Sequence, residues 1–135
     1  MSAASPSRQF SARFASLPEL LAVATAACTA AGMNVPASHR VELVLEEAFS
    51  NSIRHGYGGE SDNPAWLGTT MLPDGLRLVY QDQAPPFDPL QGACLPHGEQ
   101  VGGVGRVLIR TLPRSASYTR ENGRNTLTLE FDLKF

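Results

Sequence analysis

The chain has 135 residues, 42% hydrophobic and 18% charged, with a formal net charge of −2. This is the size of one ordinary domain, able to bury a core without disulfide or metal staples. Scattered charge leaves no basic footprint for nucleic acid and no polybasic membrane segment.

The first ten residues lack the apolar core of a signal peptide, and no apolar run approaches the roughly 20 residues of a membrane span. Cys28 and Cys94 lie far apart, outside any metal-ligand spacing, and read as two free thiols. The expectation is a soluble, cytoplasmic protein with no nucleic-acid or membrane partner.

In chain order, residues 1–7 are small and polar with one proline and predict a disordered N-terminus; residues 8–135 predict a single domain. Residues 8–15 alternate, with Phe10, Ala12 and Phe14 on one face, and predict a short strand. Ser16, Pro18 and Glu19 then read as a capping box opening a first helix that ends at Gly32. A break at Val35 and Pro36 leads to a second helix capped by Ser38 and stopping at Gly56 or Gly58. Its apolar stripe is Val41, Val44, Leu45, Ala48 and Ile53. Glu47, Asn51 and His55 stand four apart beside it, forming one slanting polar row, since residues four apart drift only about 40° around a helix. Glu46, about 100° away, reads as a solvent or partner contact.

Residues 65–72 and 76–81 predict two strands joined by Pro73-Asp74-Gly75. The next stretch, to residue 100, has four prolines and little periodicity, the mark of a functional or disordered loop. Gly102, Gly103, Val104 and Gly105 open a third helix, with Val104, Val107, Leu108, Ile109 and Leu112 as its buried candidates. Residues 115–120 and 126–135 predict a hairpin across Glu121-Asn122-Gly123-Arg124, with Leu127, Leu129, Phe131 and Leu133 turned inward. This order of elements fits an α+β two-layer sandwich, with helices on one face of a mainly antiparallel mixed sheet.

Three constellations carry chemistry. Glycines entering a helix free its N–H groups for an anion such as phosphate, yet the same turn also serves structure alone; neither a Walker loop nor a dinucleotide fingerprint is present. Asp82, at a strand end, either caps a turn or accepts a hydrogen bond from an exocyclic amine such as that of adenine. Asn51 either edges a hydrated helix face or offers an amide oxygen to Mg²⁺, with Glu47 one turn earlier as a proton acceptor. His55 reads as a helix-end packing or hydrogen-bonding residue.

Together, the order ExxxN on a helix, Asp at a strand end and GGxG into a helix resembles the GHKL ATPase superfamily with its Bergerat ATP-binding fold. EEAFSNSIRHGY is similar to the N box of the small bacterial anti-sigma-factor serine kinases, DQAPPFDP to their first glycine box and GGVGRVLI to their second. The resemblance spans nearly the whole chain. It implies Glu47 as general base, Asn51 as Mg²⁺ ligand, Asp82 on the adenine amine and Gly103 and Gly105 along the triphosphate. Ala84, Phe87, Gly102, Val104 and Arg106 complete the implied nucleotide site, and residues 85–100 would form an ATP lid.

It further implies an ATP- and Mg²⁺-dependent serine kinase that phosphorylates an antagonist protein, holds a sigma factor inactive and works as a homodimer. A non-catalytic binding module and a detached catalytic domain of a two-component system are the alternatives. Two residues depart from the family pattern. Ala84 stands where the first box has glycine, and Arg106, where the second has an apolar residue, points to solvent or reaches a phosphate.

Overall fold

Among the described residues six strands form one sheet, and three helices close over one of its faces. The computed structural model describes residues 3, 4, 6–91 and 103–135. In chain order the elements are β1 (Ala3–Ala4), β2 (Arg8–Ser11), a 3-10 turn (Phe14–Ser16), α1 (Leu17–Ala31) and α2 (Val35–Asn51). A π-helical segment (Ser52–Gly56), β3 (Pro64–Leu72), β4 (Gly75–Asp82), α3 (Gly103–Thr111), β5 (Ser115–Glu121) and β6 (Arg124–Asp132) complete them.

The sheet runs β3, β4, β6, β5, with β1 and β2 both paired to the free edge of β3. Side chains in register form inward rows: Met71, Leu76 and Phe131; Thr69, Leu78 and Leu129; Leu67, Tyr80 and Leu127. Most of these are buried, and α1 adds Leu20, Ala24 and Cys28, α2 adds Val41, Val44, Leu45, Ala48 and Phe49, and α3 adds Ile109. Burying each large aliphatic side chain contributes about 1.5–3 kcal/mol. The row at the end of the sheet is different: Ala65, Asp82 and Asn125, with Arg120 beyond on β5. Apart from the Thr69 hydroxyl and the Tyr80 hydroxyl, the polar side chains of these inward rows gather at that end.

The α+β expectation holds, with local corrections. Every strand pairing among the described residues is antiparallel, so the sheet is not mixed. Ala3 and Ala4 pair with Thr70 and Met71, where the sequence predicts disorder. The strand expected over residues 8–15 stops at Ser11, and Phe14 to Ser16 turns as a 3-10 helix. Ser16 forms no capping bond, and Glu19 instead pairs with Arg8 at 3.2 Å. The stretch Phe14–Ala31 is, by length and composition, long and apolar enough to cross a membrane, although the sequence reading finds no such run; Leu20, Ala24 and Cys28 within it are buried in the core.

Helix α2 starts at Val35 rather than Ser38. Asn34 is its N-cap, accepting the Ala37 N–H at 3.0 Å, and Pro36 occupies the first turn, where a missing N–H leaves no bond unmade. Helicity continues through the π segment to Gly56, as expected. In the last hairpin the turn is only Asn122-Gly123, both with positive φ, 54° and 74°, the pair of conformations a two-residue type I′ turn requires. Strand β6 therefore begins before Thr126, and Leu133 lies beyond its end.

Candidate functional site

A cavity of about 250 Å³ opens at the polar end of the sheet. One wall is helical, from Ala48, Asn51, Ser52, His55 and Gly56; the floor is Tyr80, Asp82, Asn125 and Leu127; Ala84, Pro85, Pro86, Phe87 and Pro89 form the rim, with Ile109 and Tyr118 opposite. The π turn matters here, because a wider turn rotates the residues after Asn51 relative to an α-helix, and such turns recur at functional sites.

Asp82 is buried. It accepts Ser52 Oγ–H at 2.6 Å, the Ala84 N–H at 3.1 Å and Asn125 Nδ2–H at 2.9 Å. Tyr80, also buried, lies 2.7 Å from Ser52 Oγ; burial raises its pKa, and the Asp82 charge adds to the rise against the lowering effect of the Ser52 bond. Asn125 also donates to the Ala84 and Pro85 carbonyls at 3.1 and 3.0 Å and accepts the Phe87 N–H at 3.1 Å and the Tyr118 hydroxyl at 2.5 Å. Arg120 donates to the Ala84 carbonyl at 2.6 Å. Tyr57, from the far side, accepts the Gln83 N–H at 2.7 Å. The chain leaving β4 is therefore held on both flanks.

Asn51 projects into the cavity, and its Nδ2 is buried with no hydrogen-bond partner among the described residues. An unpaired buried amide costs about 1–3 kcal/mol, a deficit that a ligand acceptor, or a cation facing the amide oxygen after rotation of the group, would remove. The donor set fits Mg²⁺ carried in with a polyphosphate, which needs only one or two protein oxygens because it keeps waters and phosphate oxygens as ligands.

Of the residues singled out from the sequence, Asn51, Asp82, Ala84 and Phe87 meet around this cavity. Glu47 sits one turn before Asn51 on α2, half-buried, with no hydrogen bond or ion pair among the described residues, and it does not line the cavity. Gly103 is the first residue of α3 and Gly105 lies in its first turn. Gly102 lies outside the described residues, as do the side chains of Val104 and Arg106 and the 92–100 part of the expected lid. The structural reading of His55 is corrected: it is exposed, lines the cavity and has no hydrogen bond among the described residues.

Ser52 and Asn125 escaped the sequence reading. Asn125 carried one usable signal, its place two residues before Leu127 and hence on the same inward face.

A helix-borne Asn, a strand-end Asp and a glycine-led helix about one cavity define the nucleotide-binding domains of the GHKL superfamily. The chain belongs to the histidine kinase-like ATPase domain family, whose model matches residues 10–131. Among solved structures it is similar to the histidine kinase AdeS of Acinetobacter baumannii, with a TM-score of 0.50 and 14% identity over 95% of this chain and 68% of that one; at that identity the likeness shows the fold. No curated protein matches the chain by sequence.

Proposed function

We propose that this domain is an ATP- and Mg²⁺-dependent serine kinase that works by partner switching, phosphorylating an antagonist protein and otherwise holding a sigma factor inactive. The observation that carries the nucleotide part is the unpaired buried amide of Asn51 facing the cavity that Asp82 floors. Support for the kinase part is the N-box resemblance together with Glu47, whose carboxylate is uncommitted among the described residues. Asp82 receives the base, Asn51 holds the metal, and the N–H groups at the start of α3 receive phosphate.

Mg²⁺ bound there would neutralise phosphate charge during transfer. Glu47 then accepts the proton of the serine hydroxyl as that oxygen attacks the γ-phosphorus and ADP leaves. The protein acts as a cytoplasmic homodimer on this reading.

The test is phosphotransfer from MgATP to a candidate antagonist, read as phosphoserine by mass spectrometry. Glu47→Ala should slow transfer by about 10²–10⁴-fold, the usual contribution of a positioned base, while leaving ATP affinity within a few-fold. Undiminished transfer by Glu47→Ala removes the assigned base. Tight ATP binding with no phosphoserine on any antagonist leaves a nucleotide-binding module without this activity.

A further inference from the structure

On α2, His39, Leu43, Glu46, Glu47 and Ser50 recur at helical spacing opposite the buried stripe and form one outward face, with Glu42 at its border. None of the six is buried, and Leu43 keeps 46% of its surface exposed. Glu42, Glu46 and Glu47 have no hydrogen bond or ion pair among the described residues, whereas Glu19, Asp62, Asp74, Glu130 and Asp132 all have arginine partners. Among the described carboxylates only Glu121 shares that condition away from α2. Like charges at i and i+4, as at Glu42 and Glu46, work against a helix on its own. A cationic partner on this face would relieve them.

Charge alone would mark only a hydrated surface, but Glu47 ties this face to the site. It stands one turn before Asn51 and does not line the cavity, so a hydroxyl that it deprotonates arrives over the outer surface of α2. A protein bringing that hydroxyl must cover Leu43 and Glu46, one turn and one residue before Glu47. We infer that the outward face of α2 is the docking surface for the protein substrate, whose serine is flanked by lysine or arginine and by an apolar side chain that covers Leu43. The inference rests on the kinase reading and adds to it the chemistry of the substrate. The flanking helices leave the acidic character in place: α1 carries one charged residue, Glu19, already paired with Arg8, and the described side chains of α3 add only Arg110, in its last turn. Basic residues are thus attracted to this face, and acidic ones beside the serine are repelled.

Steady-state phosphotransfer from MgATP to an antagonist, with wild type, Glu46→Lys and Leu43→Asp, tests this, alongside MgATP calorimetry and thermal unfolding of each variant. KM for the antagonist should rise at least about tenfold in both, through like-charge contact in the first and a lost apolar anchor in the second. Because neither residue is placed in the cavity or at the transferred group, kcat and MgATP affinity should stay within about twofold. Added salt should raise the wild-type KM, since it screens an attraction, and reversing the basic residues beside the antagonist's serine should restore KM in Glu46→Lys. An unchanged KM in both variants overturns the inference, as does a fall in kcat or MgATP affinity that matches the loss in kcat/KM. If Leu43→Asp does not fold, Glu46→Lys and its reversal decide. Transfer that proceeds with KM unchanged defeats the docking surface alone, whereas MgATP binding with no phosphoserine on any antagonist defeats the kinase reading and the inference together.

Discussion

A methyl group added at Gly56 would lie 2.8 Å from the Cβ of Ala84, closer than two carbons can stand. The pair explains how a chain with alanine in its first box keeps that box in place. Gly56 and Ala84 share one small volume on the cavity wall, and glycine on the helical side leaves room for a methyl on the strand-exit side. Gly56→Ala should destabilise the domain by about 1–3 kcal/mol, the range for overpacking a filled site. Ala84→Gly in the same chain should recover most of that, because neighbours sharing a volume are non-additive. Urea unfolding of the two single variants and the double variant measures the coupling. Simple addition of the two effects would mean that the residues do not compete for space, and that Ala84 presses on the cavity instead.

Helix α2 is the element that joins fold and site, since its buried stripe anchors the core and its last turns line the cavity. Its start is set by Asn34, which caps Ala37 N–H and, through the same oxygen, accepts the Phe135 N–H at 3.3 Å. Asn34→Ala should cost about 0.5–2 kcal/mol, as N-cap deletions do, and Ser38→Ala much less, because Ser38 lies inside the helix. Chemical denaturation of the two variants distinguishes them; a larger loss for Ser38 would restore the later start.

What could be read from the sequence was local. The i, i+4 spacing of Glu47 and Asn51, the end of β4 at Asp82 and the apolar register of β3, β4 and β6 are all local periodicities, and these survive in the structure. Pro36 misled because a proline reads as a break although it is tolerated in a first turn. Asn125 was obscure for a different reason. Next to Asn122-Gly123 it reads as a turn residue, and its partners Asp82, Ala84 and Pro85 are 43, 41 and 40 residues away, beyond any periodicity. Ser52 likewise gained its role only when β4 was laid beside the π turn.

At the scale of the molecule, the cavity is walled by elements drawn from across the chain: the end of α2, the exit of β4, α3 and the β5–β6 hairpin. Unfolding scatters these walls, so a nucleotide binds the folded state alone and must stabilise it. At MgATP a hundredfold above its dissociation constant the gain is about 2.7 kcal/mol, which for a domain of this size corresponds to a rise in melting temperature on the order of 10 °C. Two parts of the gain are separable. On the proposed reading Asp82 and the rim would receive the base, so ATP with a chelator should retain some of the rise. If Asn51 holds the metal as proposed, the metal-dependent remainder would run through it, and Asn51→Ala should abolish the difference between MgATP and chelated ATP.

The same substitution removes an amide whose buried Nδ2 has no partner among the described residues, so the ligand-free variant should melt no lower than the wild type despite its lost ligand response. Thermal unfolding followed by circular dichroism, with and without nucleotide and metal, measures all of these together. A ligand-free Asn51→Ala that melts several degrees lower would show the amide serving the core rather than the cavity, and a metal response that survives the substitution would move the metal ligand elsewhere.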